Sequence, residues 1–232
     1  MARKLRVGLI FGNKTIREGR RMLLQSQSDF DIVYEESDGA VALEVIGDLA
    51  VDVLLVDNRL RSLSGSELIR KFLRRNVGSD QTLPGFVLTG PFSSGPMALE
   101  AIRCGASDMV SEEEDPEELL AAIREAGAID HRVDFGLLAE FFHEQGVPHG
   151  ANQRWLLRLV NLDEAEQVVL DALAAGFEGA ELEEETNLPH TKVRWVLDAL
   201  QGRLGLATRS QLALALFEAG VLPLHGAGAE GN

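Results

Sequence analysis

The chain lacks the features of secreted and membrane proteins. It has a single cysteine, Cys104, so no disulfide can form within the chain, which fits the reducing cytoplasm. The apolar run after the basic N-terminus extends only from Val7 to Phe11, which is too short for the hydrophobic part of a signal peptide. No segment approaches the roughly 20 apolar residues of a membrane-spanning helix. We therefore predict a cytoplasmic protein that does not enter a membrane.

Positive charge is also scarce. The 232 residues include 22 Lys and Arg against 37 Asp and Glu, which gives a net charge of −15. An acidic surface keeps a protein soluble but repels phosphate backbones. The imbalance is larger from residue 129 onward, where 7 basic residues stand against 16 acidic ones. A nucleic-acid function of this half therefore has to rest on a local group of cations.

The first 128 residues alternate between strand-like and helix-like segments. Five such rounds predict βαβ units, and hence a doubly wound parallel sheet with helices on both faces. The predicted strands are Leu5–Ile10, Asp31–Glu35, Val53–Val56, Gly85–Leu88 and Asp108–Val110. The predicted helices are Ile16–Gln25, Gly39–Gly47, Gly65–Arg75, Met97–Cys104 and Pro116–Ala126.

The third strand ends abruptly on a carboxylate. Val53–Val56 is entirely apolar, as expected for a strand buried on both faces, and Asp57 follows it directly. In an open parallel sheet, functional groups collect where strands end and their loops begin. Asp57 is therefore placed as a candidate reactive group.

Residues 154–222 are predicted to form an all-helical domain. Asp163 and Glu166 have the spacing of a capping box. A short helix, Ala180–Glu185, leads through a turn into a longer one, His190–Leu204, as in a four-helix form of the helix-turn-helix. Between the two domains, residues 129–153 are interpreted as a helical linker. Residues 223–232 are interpreted as a disordered tail.

Several short motifs recur in a fixed order along the chain. In the first half they are Arg17-Glu18-Gly19, Asp52–Asp57, Ser64–Leu68, Leu88-Thr89, Gly105-Ala106 and Pro116–Leu119. In the second half they are Leu188, Val193, Leu200, Arg203-Leu204-Gly205 and Arg209-Ser210-Gln211. In order and spacing the chain resembles a response regulator of the NarL/FixJ (LuxR-type) family. The resemblance implies a receiver domain followed by a LuxR-type helix-turn-helix.

The resemblance also implies which residues a receiver needs, and this chain departs from that set. Asp57 matches the phosphoryl acceptor and Thr89 the hydroxyl that binds the phosphoryl group. The acidic pair that holds Mg²⁺ is replaced by Phe11 and Gly12, and the lysine is replaced by Glu112. We therefore predict an atypical receiver that works without aspartyl phosphorylation and binds no metal. One further hypothesis is that the ammonium of Lys14 lies where the metal would; the alternative is a solvated loop lysine.

In the helix-turn-helix, the resemblance implies that the second helix reads DNA in the major groove. The candidate contacts are Thr191, Lys192, Arg194, Arg203 and Arg209. Against this stands the acidic first helix, with its run Glu183-Glu184-Glu185. Two functions therefore remain open: a DNA-binding transcription regulator, or an interaction protein whose helix-turn-helix no longer binds DNA.

The remaining expectations concern partners and chemistry. The five histidines show no metal-ligand spacing, and no nucleophile lies beside a base, so we predict no cofactor and no enzymatic activity. We expect DNA as a partner and a homodimer, because the family binds two half-sites and the apolar surface of Phe135–Phe142 needs a cover. Control is expected to come from dimerisation, a small ligand or a regulatory protein.

Overall fold

The computed structural model divides the chain into two compact units, an N-terminal unit, residues 1–131, and a C-terminal unit, residues 132–232. The residues it describes are 3–76, 83–91, 94–113, 115–128, 135–152, 155, 158–159 and 162–223.

The N-terminal unit is built on a five-stranded parallel sheet with the strand order β2-β1-β3-β4-β5. The strands are β1 (Leu5–Ile10), β2 (Phe30–Glu36), β3 (Val53–Asp57), β4 (Gly85–Gly90) and β5 (Asp108–Ser111). The helices are α1 (Lys14–Gln25), α2 (Gly39–Val45), α3 (Gly65–Asn76), α4 (Gly95–Cys104) and α5 (Pro116–Ala126). The predicted doubly wound α/β architecture is confirmed.

Burial explains the strand pattern. All five residues of β3 are buried, as the unbroken apolar run predicted. Side chains alternate between the two faces of a strand, so Val53 and Leu55 share one face. They join the core formed with α1 and α5, which also contains Phe11 and Leu120. The middle of the sheet is therefore buried in the core, and the loops at the ends of the strands are the place for a functional site.

Capping side chains set several helix starts. Asp38 accepts hydrogen bonds from the N–H groups of Ala40 and Val41, as the predicted start of α2 required. The helix α1 begins two residues before the predicted Ile16, because the side chain of Asn13 caps it. The predicted helix Gly39–Gly47 ends at Val45 and continues as a single 3₁₀ turn.

The C-terminal unit contains the remaining described helices. They are α6 (Phe135–Glu144), α7 (Glu164–Ala174), α8 (Gly179–Thr186), α9 (His190–Leu204) and α10 (Arg209–Ala219). The capping box of Asp163 and Glu166 is present at the start of α7. The four helices α7 to α10 form the predicted helix-turn-helix fold. None of the described helices has both the length and the apolar character that crossing a bilayer requires.

The helix α6, which we predicted within a linker, packs inside the C-terminal unit. Phe135, Ala139 and Phe142 are buried, and the ring of Phe142 lies 5.6 Å from that of Phe217 on α10. The apolar face that we expected a partner to cover is therefore covered within the chain. Residues 129–134 and 153 of the predicted linker and 224–232 of the predicted tail lie outside the described residues.

Cys104 should be unreactive in the native protein. It is buried at the end of α4, and this burial raises the pKa of its thiol to about 11. At pH 8 such a thiol has a thiolate fraction roughly a hundredfold below that of an exposed cysteine. We expect Ellman's reagent to label Cys104 at least that much faster in denaturant than in buffer. Rapid labelling of the native protein would contradict the buried position.

Candidate functional sites

Two acidic side chains and a hydroxyl meet at the loop end of the sheet in the N-terminal unit. Asp57 ends β3 and is only 3% exposed, and Thr89, its register neighbour on β4, is 1% exposed. The hydroxyl of Thr89 donates to the carbonyl of Val56 at 3.3 Å. Glu112 follows β5 directly, held by a backbone bond to Gly90. The structure thus brings Asp57, Thr89 and Glu112 to one edge.

The cation at this edge is Arg59. Its backbone N–H donates to Oδ1 of Asp57 at 2.9 Å, and its Nε lies 3.8 Å from the same oxygen. Its Nη2 donates to Oε1 of Glu112. The guanidinium therefore lies between two carboxylates, one at the end of β3 and one just after β5, and its single positive charge offsets part of theirs. Sequence reasoning missed Arg59, and its position two residues after Asp57 is the signal that was available.

Lys14 does not take that place. Its ammonium lies 3.7 Å from Glu18, one helical turn along α1, and its side chain is 79% exposed. This corresponds to the solvated alternative. The position where a receiver carries its first acid is Phe11, which is buried in the core and whose carbonyl accepts from Arg17 at 2.5 Å. Across the described residues, no three His, Cys, Asp or Glu side chains come together in a way that would hold a metal ion.

The turn between α8 and α9 is tightly determined in the C-terminal unit. Asn187 ends α8 in the left-handed conformation, which Asn tolerates better than most residues. The hydroxyl of Thr186 donates to the carbonyl of Leu182 at 2.6 Å. Nδ1 of His190, the first residue of α9, lies 2.7 Å from Oε1 of Glu183. These contacts fix the angle at which α9 leaves the turn.

One face of α9 is core and the other is polar. Its buried residues are Val193, Val196, Leu197, Leu200 and Leu204. On the other face, Thr191 and Trp195 are exposed, and Lys192 and Arg194 are half-buried. Nζ of Lys192 lies 3.8 Å from the centre of the Trp195 ring, a cation–π contact. This surface, Thr191 to Trp195, combines two cations with an aromatic ring.

The other two candidate arginines are engaged within the unit. Nη2 of Arg203 donates to both carboxylate oxygens of Glu166, at 3.0 and 2.7 Å. Nη2 of Arg209 donates to Asp198 at 2.7 Å and to the carbonyl of Arg194 at 3.0 Å. The arrangement therefore leaves Lys192 and Arg194 as the cations most available to a partner of α9.

The N-terminal half of the chain matches a known family of domains. Residues 9–124, half of the chain, match the response regulator receiver domain family. This chain is a NarL/FixJ-type response regulator. The nitrate/nitrite response regulator protein NarP of Escherichia coli is 28% identical over 209 residues, which cover 90% of this chain and 92% of NarP. The DNA-binding transcriptional activator DevR/DosR of Mycobacterium tuberculosis is 27% identical over 218 residues, 92% of this chain and 94% of that protein.

The receiver fold of this response regulator is also found among solved structures. A LuxR-family two-component response regulator from Aurantimonas sp. SI85-9A1 superposes with a TM-score of 0.52 at 23% identity. The match covers 62% of this chain and 99% of that structure. Since the sequences have diverged this far, the likeness establishes the fold, and function has to be argued from side chains.

Removing the Arg59 side chain from this response regulator should lower its stability modestly. Arg59→Ala leaves the buried Asp57 beside Glu112 without a cation between them. Because the guanidinium is about half exposed, solvent screens part of the loss, and we expect the free energy of unfolding of the N-terminal unit to fall by about 1 kcal/mol. Ellman labelling of Cys104 along a urea series measures it. The control Arg61→Ala, on the same loop, should leave the midpoint unchanged.

Proposed function

We propose that this response regulator is a DNA-binding transcription regulator whose receiver works without aspartyl phosphorylation. Control would come from dimerisation, a small ligand or a regulatory protein. The observation that carries the proposal is the guanidinium of Arg59 between Asp57 and Glu112. Phosphoryl transfer to Asp57 requires a divalent cation to balance the charge of the phosphate. Here the guanidinium of Arg59 lies 3.8 Å from Oδ1 of Asp57, and the side chains of Phe11 and Gly12 offer no ligand for a metal.

The DNA-binding half of the proposal is supported by α9 and by the relatives. DevR/DosR is named a DNA-binding transcriptional activator, and it matches this chain along nearly its whole length. Lys192 and Arg194 both lie in the first turns of α9, where each is half-buried. Arginine can bind guanine through two hydrogen bonds, while lysine mainly neutralises phosphate. The acidic residues of α8 then act against non-specific binding.

Selection of bound fragments from random DNA, repeated along a salt series, tests DNA binding. We expect the wild-type protein to enrich one motif and Lys192→Ala/Arg194→Ala to lose it. The control Lys4→Ala/Arg20→Ala removes the same charge from the N-terminal unit and should retain the motif. No enrichment by wild type even at low salt would favour the interaction-protein function, and the acidic α8 would then be part of a protein-binding surface.

Phosphorylation independence has its own test. Wild-type protein incubated with Mg²⁺ and acetyl phosphate should show no phosphoryl adduct by intact-mass spectrometry. Beryllofluoride should likewise leave its DNA affinity and its oligomeric state unchanged. An adduct that is present in wild type and absent in Asp57→Asn would overturn this half of the proposal without affecting the DNA-binding half.

A further inference from the structure

A cleft of about 490 Å³ opens in the N-terminal unit between α2, the loop 58–64 and α3. Its volume falls within the range of roughly 300 to 1,000 Å³ that is usual for small-molecule sites. Neither Asp57 nor Arg59 nor Glu112 lines it. The cleft is therefore distinct from the edge of the sheet described above.

The floor of the cleft is apolar. Leu43 of α2 and Leu63 of the loop lie there, each only 7% exposed, and Ala40 lines the side of α2. Their side chains belong to the packing between α2 and α3, so the floor is held by the core. An apolar group that enters the cleft would be removed from water against these side chains, which is favourable.

The wall formed by α3 is cationic. Lys71, Arg74 and Arg75 line it, and their spacing of three and four residues places them on one helical face. Among the lining residues Glu44 is the one acid, and Nη1 of Arg75 donates to it at 3.1 Å. Within the described part of the chain, no carboxylate lies within ion-pair distance of Lys71 or Arg74. Two cations therefore face the cleft in a chain whose net charge is −15.

Two other acids, Glu67 and Asp38, are held by hydrogen bonds. Glu67, one helical turn before Lys71 on α3, accepts from the hydroxyl and the N–H of Ser64 at 3.0 and 3.2 Å, which lowers its pKa, and Lys71 is among the cations that lower it further. Asp38 accepts a hydrogen bond from the hydroxyl of Ser62 at 2.5 Å and caps the start of α2. These hydrogen bonds, that of Ser62 foremost, hold the pKa of Asp38 below its usual value. Oδ1 of Asp38 is thus engaged by donors at the mouth of the cleft, and within the described residues Asp38 forms no ion pair with Lys71 or Arg74.

We propose that this cleft binds a small organic anion with an apolar portion. Lys71 and Arg74 would pair with its phosphate, sulfonate or carboxylate group, and Leu43, Leu63 and Ala40 would cover its apolar part. The loop that lines the cleft also carries Arg59, so an occupant would act on the segment that joins Asp57 to α3. Binding requires neither DNA nor phosphorylation, so this inference stands apart from the proposed function.

Titration of the full-length protein with anilinonaphthalene sulfonate tests the site, because this dye is an apolar organic anion that fluoresces when it leaves water. We expect saturable binding to one site. Lys71→Gln/Arg74→Gln should weaken it about tenfold or more, as the loss of charge-assisted hydrogen bonds predicts. The control Lys4→Gln/Arg20→Gln removes the same charge elsewhere in the unit and should bind like wild type. A neutral analogue, N-phenylnaphthylamine, should bind more weakly than the sulfonate.

A second variant tests the shape of the cleft. Ala40 is exposed, so Ala40→Phe fills the cleft without disturbing the core and keeps every charge. It should weaken dye binding while leaving the unfolding midpoint in place. Competition by phenyl phosphate and by phenylacetate then separates phosphate from carboxylate ligands, and displacement by either supports the site. Equal affinity in the double Gln variant, or displacement by neither competitor, overturns the proposal.

Discussion

Phe142→Ala should lower the free energy of unfolding of the C-terminal unit by about 3 to 5 kcal/mol, the usual loss when a buried phenylalanine is truncated. Phe142 is fully buried, and its ring contacts those of Phe217 and Phe141. The replacement opens a cavity in the packing between α6 and α10, which cannot collapse without moving a helix. Denaturant unfolding followed by tryptophan fluorescence measures the loss, because both tryptophans, Trp155 and Trp195, lie in this unit.

A matched variant on the same helix separates packing from helix propensity. Leu137 is 65% exposed, so Leu137→Ala removes apolar atoms from α6 without opening a cavity and should change stability by about 0.5 kcal/mol or less. Labelling of Cys104 should be the same in both variants, since that thiol belongs to the N-terminal unit. A tryptophan transition that Phe142→Ala leaves in place would show that α6 is not part of the C-terminal core.

The placement of α6 marks a limit of sequence reasoning. The pattern of Phe135–Phe142 predicted an amphipathic helix, and a helix runs through these residues. Periodicity identifies which face is apolar but not which surface covers it. We expected a second copy to provide that surface, whereas α10 of the same chain provides it. The homodimer stays a prediction that now rests on the two half-sites bound by the family.

Local chemistry predicted the helix boundaries best where a capping side chain was visible. The predicted helix start at Gly39, which Asp38 caps, and the predicted capping box at Asp163 are both present, because the side chain of an aspartate just before a helix can accept hydrogen bonds from its first N–H groups. The sequence analysis overlooked Asn13 as the cap of α1. For that reason it assigned Lys14 to the loop before the helix. Lys14 is the first residue of α1, and its exposed ammonium lies beside Glu18 one turn later.

The sequence predicted that Asp57 would lie at the loop end of the sheet, but it did not predict that Arg59 would lie beside it. The rule for parallel sheets places Asp57 beside Thr89, and register pairing has them as neighbours. This reasoning missed Arg59, because the conformation of the loop sets the position of its backbone and the side-chain rotamer sets where its guanidinium lies. A long cationic side chain can reach many acids, and here burial of Asp57 and the loop after β5 select one arrangement. The sequence places Arg59 two residues after Asp57, but this spacing does not show which acids its guanidinium contacts.

Arg203→Ala should lower the free energy of unfolding of the C-terminal unit by about 3 kcal/mol, because it leaves a buried carboxylate without its cation. Glu166 is only 3% exposed, and it already closes the capping box by accepting from the N–H of Asp163 at 2.9 Å. The guanidinium of Arg203 bonds both of its oxygens and so ties the start of α7 to the end of α9. Tryptophan fluorescence along a denaturant series, without DNA, measures the effect.

Two further variants decide whether Arg203 stabilises the C-terminal unit or serves only to bind DNA. Arg194→Ala removes a cation from the polar face of the same helix and should change stability by about 0.5 kcal/mol or less. Glu166→Gln keeps an acceptor for Asp163 and removes the buried charge, so the double variant Arg203→Ala/Glu166→Gln should recover part of what Arg203→Ala loses. If Arg203→Ala is as mild as Arg194→Ala and the second change recovers nothing, the ion pair with Glu166 contributes little. A phosphate could then compete with Glu166 for the guanidinium, as the place of Arg203 in the helix-turn-helix first suggested.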